Sequence, residues 1–201
     1  MVKADCGGCN GCSRCCHGMG NSIILDPYDV YRMTTGMGKS MQELLAASVE
    51  FNVVDGVILP NLKMQGTKEA CAYLDEEGRC SIHPYRPGIC RLFPLGRYYE
   101  NGGFSYFLQT GECAKENRSK IKVSKWIDTP DLTRNQQFTL QWHDLLHAME
   151  ERLTGEDEGK QREENLLLLR LFYLLPYEGT IDFYTQFTER MEHWNGQNGQ
   201  I

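Results

Sequence analysis

No cysteine occurs after residue 113 of this 201-residue chain, so whatever the thiols do is confined to the first part of the sequence. No apolar run is long enough to span a bilayer: the most apolar stretch, Leu166 to Leu175, carries Arg170 and falls well short of the ~20 residues a spanning helix needs. Basic residues are in deficit, with 21 Lys and Arg against 27 Asp and Glu and a net charge of −6. That balance opposes phosphate-backbone binding, so no nucleic acid is expected as a partner. The opening residues Met1 to Cys6 show no basic-then-apolar leader, so the expected location is cytoplasmic, with no membrane partner. A glycine-rich turn after a strand, a phosphate loop and a serine–histidine–acid pattern are all missing, which removes the common signatures of nucleotide and acyl chemistry. What remains is ordinary globular usage, 41% hydrophobic and 24% charged, enough to build a core without help from metal in the second half.

The nine cysteines are Cys6, Cys9, Cys12, Cys15, Cys16, Cys71, Cys80, Cys90 and Cys113. An odd count in a reducing compartment argues against a disulfide framework. Their spacing says more. From Cys6 to Cys15 a thiol recurs every third residue, and two intervening residues let the backbone curl so that successive sulfurs face one centre. Zinc sites and cubane iron–sulfur clusters both use this step; three steps in a row resemble the C-x2-C-x2-C run of bacterial ferredoxins. Zinc sites more often stop at one step and draw a second pair from a distant loop. The pattern therefore favours iron and leaves zinc as the alternative. Cys15 and Cys16 are adjacent, which predicts side chains that diverge toward two centres, or one non-ligand.

Downstream, Cys71-Ala-Tyr-Leu-Asp-Glu-Glu-Gly-Arg-Cys80 reads as two strands about a turn at Asp75–Gly78, bringing Cys71 and Cys80 together. Prolines 84, 87 and 94 break any continuous helix around Cys90. Cys113 follows Thr110-Gly-Glu in a turn. His17 and His83 stand beside cysteines and are expected to hydrogen-bond the ligands rather than ligate. His143 and His147 share a helical face but lack the flanking acid of a zincin helix. Arg79, Arg86, Arg91 and Arg97 gather near the later thiols, where guanidinium groups would offset the negative charge of a thiolate centre.

Cys9-Asn-Gly-Cys12-Ser-Arg-Cys15-Cys16, Ile23-Ile-Leu-Asp-Pro-Tyr-Asp29, Cys71-Ala-Tyr-Leu74, Cys80-Ser-Ile-His83 and Arg86-Pro-Gly-Ile-Cys90-Arg-Leu-Phe-Pro94 together resemble the CxxCxxCC cysteine-cluster family of zinc- or iron-chelating domains. The resemblance spans roughly the first 115 residues, and Cys6 stands one step outside it. It implies metal binding by Cys9, Cys12, Cys15, Cys16, Cys71, Cys80, Cys90 and Cys113, enough for two four-thiolate sites or one larger cluster. Some relatives carry this pattern in flagellin lysine methylation, which supplies an alternative, a lysine methyltransferase-like enzyme using S-adenosylmethionine. The expected cofactor is one or more iron–sulfur clusters of the 4Fe-4S kind, or else zinc. The expected role is redox or cluster-dependent, with a redox or substrate protein as partner; a zinc-stabilised interaction module is the other non-enzymatic reading.

The expected fold class is α+β: a loop-rich cysteine half (1–125) with short helices and small β-hairpins, then a three-helix half (126–201) packed on it, possible also as one domain. Asp26-Pro27 and the capping box Ser40-Met-Gln-Glu43 open short helices. Asp55-Gly56 and Asn101-Gly102 turn hairpins. Thr129-Pro130 opens a helix with a stripe of Phe138, Trp142, Leu145, Leu146, Met149 and Leu153, which Gly155 ends. A second helix runs from Gln161 to about Leu174. Thr180 caps a third, with Phe183, Tyr184, Phe187, Met191 and Trp194 on one face and Gly196 closing it.

Overall fold

The computed structural model describes residues 1–5, 12–113 and 118–198. In chain order its elements are β1 (Val2–Asp5), α1 (Pro27–Met37), α2 (Met41–Ala47), β2 (Val49–Val54), β3 (Val57–Leu62), β4 (Met64–Gln65), β5 (Ala70–Cys71), α3 (Gly88–Leu92), β6 (Leu95–Glu100), β7 (Gly103–Leu108), β8 (Ser119–Ile121), α4 (Val123–Ile127), α5 (Leu132–Leu153), α6 (Glu158–Leu169) and α7 (Phe183–Asn198). The strands pair two by two, always antiparallel, as β1–β8, β2–β3, β4–β5 and β6–β7. The architecture is α+β, small hairpins first and long helices last.

Local chemistry explains most of these boundaries. Asp26 accepts from Asp29 N–H at the start of α1, and Asp29 answers by accepting from Asp26 N–H, a reciprocal cap with Pro27 at the first helical position. Ser40 and Glu43 do the same for α2. Gly38 takes the left-handed conformation that ends α1. Asp55-Gly56 and Asn101-Gly102 adopt the paired positive φ angles of tight hairpin turns, as their sequence predicts.

In the second half the stripe of α5 is buried as expected, apart from a half-buried Leu146, and Gly155 follows the helix in the left-handed region. Its start differs: Asp131, not Thr129, accepts from Arg134 N–H and caps it. α6 begins earlier than expected, at Glu158 with Asp157 as its cap, and passes into a π turn over Arg170–Leu174. Asp182 rather than Thr180 accepts from the first-turn Thr185 N–H of α7. That helix continues through Gly196 to Asn198 instead of stopping there; one glycine costs only about 1 kcal/mol in a helix anchored elsewhere, here by buried Phe183, Phe187 and Trp194.

One hydrophobic cluster draws on both halves, joining Ile23, Leu25, Met33, Leu44 and Leu62 to Phe138, Trp142, Phe172, Phe187 and Trp194. A smaller one, Leu92, Leu95 and Ile127, sits under β6 and α4. Asn165 of α6 locks the halves at a single point. Its side chain accepts from Ile58 N–H at 2.6 Å and donates to the Gly56 carbonyl at 3.2 Å, gripping the β2–β3 turn. Asn165→Ala leaves that turn without its partners and should lower unfolding free energy by about 2 kcal/mol. Urea titration checks this, and because no thiol is touched, bound metal should not change.

Candidate metal centre

The cysteine segments reach one place by three routes. A 3-10 turn over Arg14–Cys16 presents Cys15 and Cys16 side by side. An isolated bridge, His17 to Ala70, lays this turn against β5, whose last residue is Cys71. Cys71 pairs back to Met64 across β4, not forward to the Cys80 strand. The expected hairpin is cut short to the Leu74–Cys80 bridge, with Ser81 N–H donating to the Tyr73 carbonyl and Asp75 N–H to the Arg79 carbonyl, around a turn in which the Asp75 carboxylate accepts from the backbone of Glu77 and Arg79. Polar capping by Asp75 and the following prolines leave no room for a longer ladder. Cys90 then comes in on α3, between Pro87 and Pro94.

Helix α1 holds that last segment. Asp29 accepts from Gly88 N–H at 2.7 Å, one turn on Arg32 donates to the Pro84 carbonyl, and one turn further the bare Cα of Gly36 lies under the Tyr85 ring. A Cβ on Gly36 would sit 2.3 Å from that ring. Asp29, Arg32 and Gly36 thus form one helical stripe on the Pro84–Cys90 segment. The sequence marks Asp29 only as the end of the Ile23–Asp29 stretch, and nothing local marks its reach to Gly88 or the roles of Arg32 and Gly36.

Cys12, Cys15, Cys16, Cys71, Cys80 and Cys90 line a single cavity of about 620 Å³. All are half-buried. Cys113 does not line it, although the preceding Glu112 does; Cys6 and Cys9 lie outside the described residues. The divergence expected of Cys15 and Cys16 is not found, since the tight turn delivers both thiols to the same wall. A hydrogen bond from the Cys16 thiol holds Cys15 down to about 6 and, in return, raises Cys16. Burial raises Cys71, Cys80 and Cys90, and the charges of neighbouring thiols in the group raise each of them further. Five thiols from 15 to 90 therefore sense one another electrostatically.

The arginines divide. Arg86 lies near Cys15 and Cys80, and Arg79 lines the cavity. Arg91, in contrast, is buried with 4% exposure, donates to Thr129 and stacks toward Tyr28, while Arg97 covers Phe104. His83 lines the cavity; His17 turns its Nδ1 to the Ser13 carbonyl. His143 stacks on Tyr99 at 3.7 Å and His147 faces Glu151, a packing and surface role.

Among the described residues, no group of three or more His, Cys, Asp or Glu side chains meets metal-ligand spacing. The donor set itself fits a thiophilic centre: several soft sulfur donors around one space, few competing carboxylates, and guanidinium groups to offset thiolate charge. Thiols whose protons are held by burial must release them to a metal, so affinity should rise with pH.

Asp29 adds a separate pH effect. Burial, then the nearby Asp26 carboxylate, pushes it from 3.8 up to about 7. A carboxyl raised in the folded state gives stability that is complete below its ordinary value and is lost as pH rises through about 7. Asp29→Asn, neutral throughout, should flatten the pH dependence of unfolding across that window; an unchanged slope would show that Asp29 ionises as usual.

No helix among the described residues is long and apolar enough to cross a membrane. No curated protein and no solved structure matches the chain. A family model does match, over residues 8–119, described as a "putative zinc- or iron-chelating domain". That match covers more than half of the chain and every thiol lining the cavity, so the chain belongs to the CxxCxxCC family of metal-chelating domains.

Proposed function

We propose that this chain holds an iron–sulfur cluster of the four-iron kind and serves a redox or cluster-dependent role with a protein partner. The observation that carries the reading is the meeting of Cys12, Cys15 and Cys16 with Cys71, Cys80 and Cys90 on one cavity. Cys9 and Cys113 complete the candidate ligand set of eight. Metal chelation itself follows from the family; iron over zinc rests on the three-residue thiol repeat, which is the ferredoxin step. When bound, such a cluster supplies one-electron transfer.

The chain's own residues set the conditions for it. Thiol protons leave as the sulfurs ligate. Arg86, near Cys15 and Cys80, offsets the resulting charge and favours the reduced form, in which negative charge is greatest. Buried Ile82 and Leu95 make part of the cavity wall apolar.

Anaerobic purification with metal analysis and visible absorption tests the proposal. Brown protein containing iron and sulfide, bleached by dithionite, is expected. Colourless protein with stoichiometric zinc would sink it in favour of a zinc-stabilised interaction module.

A further inference from the structure

The cavity is larger than a metal centre. Metal–sulfur bonds of about 2.3 Å confine even a multi-metal cluster to a few ångströms across. A cavity of about 620 Å³ lies instead in the ~300–1,000 Å³ range of sites that take small organic molecules.

Its walls are also unlike one another. Cys71, Cys80 and Cys90 pack against the main core, beside Ile82. Leu95 and Trp126 come from the separate small cluster under β6 and α4, and with Phe93 and Gln109 they bring no thiol to the cavity. Trp126 is fixed there by donating its indole N–H to the Leu92 carbonyl at 3.1 Å. An aromatic, largely apolar stretch of wall thus shares the cavity with the thiols.

Apart from the thiols and whatever metal they hold, charge at the cavity is lopsided. Arg79 and Arg86 both line it, and neither is ion-paired with a carboxylate among the described residues. Glu112 is the single acid on the described lining, and it is exposed.

We propose that the cavity takes, beside the metal, a small organic anion. Its apolar body lies on Phe93, Leu95 and Trp126, and its acidic group is held by Arg79 and Arg86. The proposal rests on the reading that the thiols hold a metal, and goes beyond it by assigning the lining residues that are not thiols. One acidic group suits two guanidiniums, which bind carboxylate, sulfonate and phosphate in the same forked geometry.

The test uses full-length, metal-loaded protein and two fluorescent probes. One is 1-anilinonaphthalene-8-sulfonate; the other, N-phenyl-1-naphthylamine, has the same rings without the sulfonate. The anionic probe should bind at one site per chain and about tenfold tighter than the uncharged one, as expected for one charge-assisted contact. Arg79→Gln and Arg86→Gln should each erode that preference. Gln109→Trp, which fills the cavity from a lining position that is not a thiol, should weaken both probes by about tenfold or more.

Equal affinity for the two probes would overturn the anion assignment. Anionic-probe binding that survives Gln109→Trp would place the site elsewhere and overturn the proposal. Metal content measured on the same samples separates the two readings. Arginine-dependent binding in protein that carries no metal would uphold the pocket while removing the cluster.

Discussion

Cys90→Ser should purify with less than about a tenth of the wild-type metal, even when expressed and handled without oxygen. Cys90 enters the cavity on the short helix α3, placed by the α1 stripe rather than by flexible chain. A serine hydroxyl is a hard, poorly ionised donor and cannot replace a thiolate at a soft metal. Loss of a second-shell partner typically costs 10–100-fold in metal affinity, and loss of a direct ligand should cost at least as much. Cys12→Ser, from the other thiol set, should behave alike. Cys113→Ser is the informative companion, because the structure leaves Cys113 off the cavity wall while the family pattern includes it. Plasma emission spectrometry reads all three. Full metal in both Cys12→Ser and Cys90→Ser would mean that other residues ligate.

Stripping the metal with a chelator should destabilise the chain unevenly. The segment from Ala72 to Pro87 has one 3-10 turn and an isolated bridge as its regular structure, so its order leans on what Cys80 within it and Cys71 and Cys90 beside it hold. Metal present at about a thousand times its dissociation constant adds about 4 kcal/mol to stability. For a chain of this size that corresponds to a melting shift of about 8–16 °C. Trypsin should then cut the apo protein first at Arg79, while α5 and α7, with Phe138, Trp142, Phe187 and Trp194 in the core, stay intact longer. Equal melting temperatures with and without metal would show that the cysteine loops are ordered by packing alone.

Features written within a few residues were legible in the sequence. The Asp26 cap ahead of Pro27, the Ser40–Glu43 capping box, the Asp-Gly and Asn-Gly hairpins, and the buried stripe of α5 were readable because each is a local rule with a local sequence signature. Competing caps were harder: Thr129 and Asp131, or Thr180 and Asp182, are chemically similar, and tertiary context chose the aspartates. Long-range pairings left no trace, as with β1 against β8, where Val2 meets Ile121. At the site, the thiols announced themselves by type and spacing. The direction each arginine faces did not, so Arg91 and Arg97, counted as site residues from proximity in sequence, serve packing instead. Asp29, Arg32 and Gly36 were hidden for the opposite reason, since their partners lie about 50 residues away.

In the proposed function, thiols from two distant stretches meet on one metal centre. X-ray absorption at the iron and zinc edges, on protein purified without oxygen, tests it most directly. An iron signal with a first shell of sulfur alone at about 2.3 Å is expected, lost in both Cys12→Ser and Cys90→Ser. A first shell of nitrogen and oxygen, or a sulfur shell that survives both substitutions, would contradict it.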